Sequence, residues 1–224
     1  LRLLDDVHRS GPIAATGSDC AGVWASAADS AIAGMGAFGL AHGCLSTVVV
    51  AIAALMPPKP EGLSFEGAAT IPSPYVVASM ALQERSTSAL LVHGASAPLG
   101  AATLQLAAAT GLHVVATDMA SVRSLARRAG CHSVLDASGA SFVQDVLCGG
   151  LTVSAAVNTP VALIAPTLAA LGSGGQLLQW ARQGLWSPAR VASERAEVTS
   201  SLLSLELACV GGDVSGSMAK VAMA

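Results

Sequence analysis

Three small residues, Gly94, Ala97 and Gly100, recur through one short turn and carry the clearest chemical signal in the sequence. The turn follows a continuous apolar run at 89–93, typical of a strand buried on both faces, and precedes a helical stretch at 101–110. In such a strand–turn–helix unit the first small residue allows the tight turn. The second lets the backbone approach a diphosphate, and the third packs the helix on the strand. The spacing therefore indicates either a dinucleotide-binding turn or a turn retained only for packing.

The middle of this turn departs from the pattern of small residues. Ala97 places a methyl group where the backbone should come closest to a phosphate, and Pro98 has no N–H to donate to an anion. Proline still suits the first turn of a helix. We therefore predict that the helix forms and that the anion site loses one donor, with Pro98 and Leu99 completing the cofactor-binding turn.

Charged residues after the next predicted strand give conflicting signals about the cofactor. Asp118 ends that strand, 18 residues after Gly100, where an acid normally accepts hydrogen bonds from the adenine ribose and favours NAD. Arg123 lies just beyond and could instead hold a 2′-phosphate as a bidentate donor, which would favour NADP. A third interpretation makes Asp118 a cap for the following helix.

Strands and helices are predicted to alternate from residue 89 to residue 180. Strands are predicted at 89–93, 112–117, 133–136, 155–158 and 175–180, and helices at 101–110, 120–129, 142–147 and 161–171. This order requires right-handed crossovers and a parallel sheet covered by helices. The predicted fold class is therefore α/β, with a doubly wound, Rossmann-like parallel sheet.

The amino-terminal part is predicted to contain short strands and helices rather than this alternation. Cys44–Val50 is the most strand-like run, because it is β-branched and follows a glycine. Ser64 is expected to cap a helix that starts at Phe65, and a further helix is predicted at 75–84.

Composition excludes several classes of protein. The chain has 224 residues, of which 53% are hydrophobic and 11% charged, so it is not a disordered chain. A net charge of −3 without a basic stripe argues against nucleic-acid binding. The apolar stretches are interrupted before they reach the roughly 18 residues that a membrane span needs. Since Leu1 starts the chain without a signal pattern, we expect a cytoplasmic segment of a longer protein.

The five cysteines are odd in number, scattered and without C-x-x-C spacing. Neither a disulfide framework nor a structural zinc site is therefore indicated. We predict that the chain holds no metal.

Several stretches together resemble one known family. They are GSDCAGV at 17–23, GLAHGCLSTVVV at 39–50, LSFEGAATIP at 63–72, LVHGASAPLGAA at 91–102 and WSPARVA at 186–192. The family is the enoyl-reductase domain of modular polyketide and fatty-acid synthases, a quinone-oxidoreductase-like branch of the medium-chain dehydrogenase/reductase superfamily. The resemblance covers nearly the whole chain.

The resemblance implies an organisation and an activity. Residues 1–76 would be a partial GroES-like substrate domain, 77–200 the Rossmann-like nucleotide-binding domain and 201–224 a truncated return segment. NADPH would give hydride to an enoyl thioester carried by an acyl carrier protein, with neighbouring synthase domains as partners and a homodimer as an allowed assembly. Asn158 and Arg182 fall on family positions that line the cofactor site. No catalytic residue is assigned.

The departures from the family pattern keep two alternatives open. Ala97 and Pro98 stand where the family has a double glycine, Val77 falls in a stretch that lines the nicotinamide pocket, and a family lysine falls on Val122. These losses fit a catalytically impaired pseudo-reductase that serves as a structural domain. A stand-alone quinone-reductase-like oxidoreductase acting on small enones is the other alternative.

Overall fold

The structure is a computed structural model that describes residues 17–26, 30–83, 89–129, 131–180, 184–205, 214 and 216–218. The chain divides into two compact units. One consists of Leu1–Val76 with Leu205–Ala224, and the other of Val77–Ser204.

The first unit contains a two-stranded antiparallel sheet and short helices. Strand β1 (Asp19–Val23) pairs with β2 (Gly36–Leu40), and 3₁₀ turns cover Ser30–Ile32 and Ala53–Leu55. Helix α1 spans Phe65–Ala68, and α2 (Pro72–Gln83) begins in this unit and continues into the residues of the second. The predicted cap of α1 is confirmed, because the Ser64 hydroxyl accepts a hydrogen bond from the Gly67 amide at 3.0 Å.

The predicted strand at Cys44–Val50 is wrong. This segment forms no strand, and Val48 and Val50 are 78% and 95% exposed. β-branched residues favour strands because they pack on a half-buried pleated surface, and here such a surface is missing.

The second unit contains a six-stranded parallel sheet in the order β5-β4-β3-β6-β7-β8. Its strands are β3 (Ala89–His93), β4 (His113–Asp118), β5 (Ser133–Asp136), β6 (Val153–Asn158), β7 (Leu171–Gln179) and β8 (Thr199–Leu202). The connecting helices are α3 (Pro98–Ala109), α4 (Arg123–Arg128), α5 (Ser141–Cys148), α6 (Ile164–Ala170) and α7 (Pro188–Glu194). This arrangement confirms the predicted doubly wound α/β fold.

Two predicted helices are shorter than expected. The helix predicted at 120–129 is a 3₁₀ turn at Ala120–Val122 followed by α4, and the one predicted at 161–171 is a 3₁₀ turn at Val161–Leu163 followed by α6. Pro166 explains the second case, because it has no N–H for the carbonyl four residues earlier. The regular α-helix therefore begins after Ala162, the residue that carries this carbonyl. It ends before Leu171, which already belongs to β7.

The core of the second unit lies between the strand centres and the helices that cross them. Leu91, Ala156 and Leu177 are fully buried in the sheet, and Phe142 and Ile164 pack against the same cluster from α5 and α6. In the part of the chain that the structure describes, no helix has both the length and the apolar character needed to cross a bilayer.

Candidate functional site

The strand order reverses between β3 and β6, and a crevice opens at the carboxyl end of these two strands. Their paired residues run from Leu90–Ala155 to Val92–Val157, after which the two chains enter different loops. A cavity of about 540 Å³ lies there, lined by the turn after β3 and by the loops after β5 and β6. Open α/β sheets bind ligands at such a switch point.

The turn between β3 and α3 is built around two glycines. Gly94 has φ +68°, and a Cβ added to it would lie 3.3 Å from the Thr159 hydroxyl oxygen. A Cβ on Gly100 would lie 2.1 Å from the Gly94 carbonyl oxygen, which is far inside van der Waals contact. The fold of the turn therefore needs glycine at both positions. Ala97 is extended and directly precedes Pro98, the first residue of α3.

Most backbone N–H groups of the turn already donate to the protein. The amides of Gly94 and Ala95 point to the Thr117 carbonyl at 3.0 and 3.4 Å, and the Ala97 amide donates to the Gly94 carbonyl at 2.9 Å. Pro98 has no N–H. Besides the donor that is missing at Pro98, most amides of the turn already donate to carbonyl groups of the protein and are not free for an anion.

The amino end of α3 retains two groups that could meet an anion. The first amides of an α-helix have no carbonyl one turn back. With Pro98 lacking an N–H and the Ala101 amide bonded to the Ala97 carbonyl at 2.8 Å, these groups are the amides of Leu99 and Gly100. They and the helix dipole form what remains of the phosphate site.

Asp118 holds the turn in place. Its carboxylate accepts hydrogen bonds from the Ser96 amide at 2.6 Å and from the Met119 amide at 2.8 Å, and the residue is 5% exposed. The interpretation of Asp118 as a helix cap is wrong, because Met119 occupies the N-cap position of the Ala120–Val122 turn and no side chain caps it. Because β4 lies beside β3 in the sheet, the last residue of β4 reaches the turn that follows β3.

Arg123 lies beside the next strand rather than beside Asp118. Its guanidinium is 3.8 Å from the Asp136 carboxylate at the end of β5. Hydrogen bonds from Ser138 lower the pKa of Asp136, and the positive charge of Arg123 adds to this effect. The Arg123 Nε is buried and has no hydrogen-bond partner among the described residues. Arg182, the remaining predicted cofactor residue with a charge, lies outside the described residues.

Asn158 ends β6 on the opposite side of the crevice. Its side-chain amide donates to the Pro160 carbonyl at 3.0 Å, and its side-chain oxygen faces the Thr167 hydroxyl at 3.3 Å. Pro160 lines the cavity, whereas Asn158 is buried behind it. Asn158 therefore shapes the loop that forms one wall of the crevice.

His93 stands in the centre of a buried polar network that the sequence did not reveal. Its Nδ1 is 2.7 Å from the Thr117 hydroxyl, its Nε2 is 2.7 Å from the Thr167 hydroxyl, and the Phe142 ring packs edge-on at 5.1 Å. The partners are up to 74 residues apart in the chain, so only the folded sheet brings them together. Because His93 is completely buried, it packs and bonds within the protein rather than lying exposed to a ligand.

We expect this network to make stability depend on pH. Burial lowers the pKa of His93 from 6.5 to about 4, because the ring is removed from water. The Thr117, Thr167 and Phe142 side chains around the ring are uncharged and do not offset this effect. Above pH 6.5 the folded and unfolded states both hold neutral His93. Between pH 6.5 and pH 4 only the unfolded state gains the proton, and at about 1.4 kcal/mol per pKa unit the protein should lose about 3 kcal/mol. Urea titrations across this range would measure the loss, and His93→Gln should remove that contribution.

The chain is similar in sequence to parts of two kinds of known protein. The chain is 30% identical over 169 residues to the spectinabilin polyketide synthase system protein NorB of Streptomyces orinoci, covering 72% of this chain and 8% of that protein. It is 35% identical over 94 residues to the quinone oxidoreductase of Mus musculus, covering 40% of this chain and 28% of the mouse enzyme. The chain thus spans less than a third of the length of either relative. No family model matches it.

Solved structures share the fold over almost the whole chain. The CurK enoyl reductase superposes with a TM-score of 0.86 at 23% identity, covering 92% of this chain and 66% of that one. A mycobacterial protein complexed with NADPH superposes with a TM-score of 0.82 at 23% identity, covering 96% of this chain and 72% of that one. The resemblance drawn from the sequence is confirmed by both kinds of comparison.

Proposed function

We propose that this chain, a relative in sequence and fold of the medium-chain reductases that include polyketide-synthase enoyl reductases and quinone oxidoreductases, is part of an NADPH-dependent enoyl-thioester reductase. The observation that carries the proposal is the crevice at the β3–β6 switch point, whose lining includes Gly94, the first residue of the Gly94–Gly100 turn. The known fold and the position of the turn agree on one ligand class, a dinucleotide.

The residues at the crevice fit a dinucleotide, although the diphosphate contact is reduced. The amides of Leu99 and Gly100 would face the diphosphate. Asp118 at the end of β4 and Arg123, beside the end of β5, stand where the adenosine part would lie, and Asn158 holds the opposite wall through Pro160. Gly94 keeps the mouth open, because a side chain there would meet Thr159.

The chemistry we propose is reduction of a carbon–carbon double bond conjugated to a thioester. When bound, the dinucleotide would supply a hydride to the β-carbon of the substrate. The chain's own residues would bind and orient the dinucleotide and exclude water from the crevice, where apolar residues of the β6–α6 loop form one wall. The proposal assigns no catalytic side chain.

We further propose that the substrate is carried by an acyl carrier protein and that the chain works beside other synthase domains. The similarity to NorB, in which the matched region is 8% of the protein, supports this setting.

Nucleotide titration tests the proposal directly. The protein, in its full parent chain, should bind NADPH saturably below about millimolar concentration, as followed by nicotinamide fluorescence. It should then oxidise NADPH in the presence of an enoyl thioester of pantetheine. Turnover only with a small quinone would favour the quinone-reductase alternative, and no binding of NADPH or NADH would contradict a nucleotide-binding function.

One observation favours a second candidate, an impaired reductase kept as a structural domain. The turn uses its own N–H groups internally, and Pro98 contributes none. We expect the double substitution Ala97→Gly with Pro98→Gly to raise NADPH affinity about tenfold, because it restores an amide donor and removes a methyl group from the phosphate approach.

The matched control for this pair is Pro188→Gly. Pro188 opens α7 at the same helical position as Pro98 opens α3, but it does not belong to the Gly94–Gly100 turn. Both changes should cost stability through the greater freedom of the unfolded chain. Only the change in the Gly94–Gly100 turn should alter affinity. A double variant that binds no better than the unchanged protein would mean that the turn is not the limiting defect.

A further inference from the structure

Side chains link the ends of β3 and β6 beyond the last residues whose backbones pair. The last paired residues are Val92 and Val157. The hydroxyl of Thr159, two residues after Val157, donates at 3.4 Å to the carbonyl of His93, one residue after Val92. The His93 ring also lies 2.7 Å from the hydroxyl of Thr167 on α6. Thr159 directly precedes Pro160, which lines the crevice, so these links connect the buried network to the crevice wall.

The orientation of Asn158 follows from one of its partners. The Pro160 carbonyl can only accept a hydrogen bond, so the group of Asn158 that faces it at 3.0 Å must be the NH₂. The side-chain oxygen of Asn158 then faces the Thr167 hydroxyl.

The proton of Thr167 fixes the protonation state of His93. The hydroxyl of Thr167 lies against two groups that only accept, the Leu163 carbonyl and the Asn158 oxygen, so its single proton points toward them. Its oxygen must then accept from His93, which requires a proton on Nε2. The bare Nδ1 of His93 in turn accepts from the Thr117 hydroxyl.

From this chain of donors and acceptors we infer that His93 is a positioning residue, whose Nε2–H orients Thr167 and, through Asn158, holds the Pro160 wall of the nucleotide crevice. His93 and Asn158 are both buried, so the effect passes through Thr167 rather than through contact with a ligand. The effect on nucleotide binding rests on the function proposed above. The arrangement of the four side chains, His93, Thr117, Thr167 and Asn158, does not depend on that function.

Thr167→Val tests the link, because valine keeps the shape of threonine and removes its hydroxyl. Thr103→Val is the matched control: Thr103 is equally buried and its hydroxyl donates to the Leu99 carbonyl four residues earlier at 2.7 Å. Among the described residues, no side-chain hydrogen bond joins it to the network around His93. We expect Thr167→Val to weaken NADPH binding about tenfold, the effect of one lost buried hydrogen bond. Thr103→Val should not change the affinity, and Thr167→Ser should restore it.

Nitrogen-15 NMR of the histidine rings gives a readout that does not depend on nucleotide binding. In the unchanged protein at pH 7, His93 should show a protonated Nε2 and an unprotonated Nδ1. In Thr167→Val, the side-chain NH₂ signals of Asn158 and the backbone signals of 158–163 should shift, whereas Thr103→Val should leave them in place.

The outcomes separate this inference from the proposed function. A His93 with its proton on Nδ1, or Asn158 signals that move no more in Thr167→Val than in Thr103→Val, would overturn the positioning role even if Thr167→Val weakens binding. If the unchanged protein binds no nucleotide, the proposed function fails and the NMR result alone decides the role of His93. Should Thr167→Val not fold, the tautomer of the unchanged protein still decides.

Discussion

Gly100→Ala is expected to lower the free energy of unfolding by about 3 kcal/mol and to abolish measurable NADPH binding. The added Cβ would lie 2.1 Å from the Gly94 carbonyl oxygen and 2.9 Å from the Ala95 Cα. Both are backbone atoms, so no side-chain rotation relieves the overlap. Alanine would gain about 1 kcal/mol of helix propensity over glycine, which is too little to offset a displaced turn. Urea unfolding with a check on the m-value would measure the loss, and fluorescence titration the binding.

A glycine of the same unit provides the control for stability. Gly139 lies in the loop after β5, and a Cβ added there would meet nothing within 4 Å. Gly139→Ala should therefore change the free energy of unfolding by no more than about 0.5 kcal/mol. If Gly100→Ala proved as stable as Gly139→Ala, α3 would not pack against β3 as closely as the structure indicates.

The fold was predictable where burial on both faces left a continuous apolar run. The strand Ala89–His93, a short apolar run between turns that is buried throughout, was found at its predicted position. Ser133–Asp136 was also found where predicted, although only Val134 in it is buried. The edge strand β8 was not foreseen, since its sequence, TSSL, carries no such run. Cys44–Val50 failed for the opposite reason: its residues favour a strand, but no strand in the described part of the chain pairs with them.

The candidate site was predictable as a place and only partly as a set of contacts. The spacing of Gly94 and Gly100 identified the turn, and Asp118 was placed correctly at the end of β4. Its partner, the Ser96 amide, could not be identified, because a backbone donor leaves no trace in the sequence. The link between His93 and Thr167 was equally hidden, since it joins strand β3 to helix α6, 74 residues apart in the chain.

Asp118→Asn is expected to shift cofactor preference toward NADPH, raising its affinity relative to NADH about tenfold. The carboxylate is fixed at the end of β4 by the amides of Ser96 and Met119, so its negative charge cannot turn away from a 2′-phosphate. Asparagine keeps the shape and removes the charge. It also places an NH₂ group against one of these amides, which should cost about 1–2 kcal/mol of folding free energy. Parallel titrations with NADPH and NADH would measure the ratio.

Asp136→Asn distinguishes a local effect of Asp118 from the change in total charge. Asp136 ends the neighbouring strand β5, and its substitution by asparagine removes the same unit of charge. Its carboxylate pairs with Arg123, whereas that of Asp118 bonds to the Gly94–Gly100 turn. If the preference depends on the charge held against the Gly94–Gly100 turn, Asp118→Asn should change the ratio of affinities more than Asp136→Asn does. A carboxylate fixed beside the ribose acts more strongly on it than a solvent-screened carboxylate farther along the sheet edge, so a local effect requires unequal shifts. Equal shifts would mean that long-range charge sets the preference.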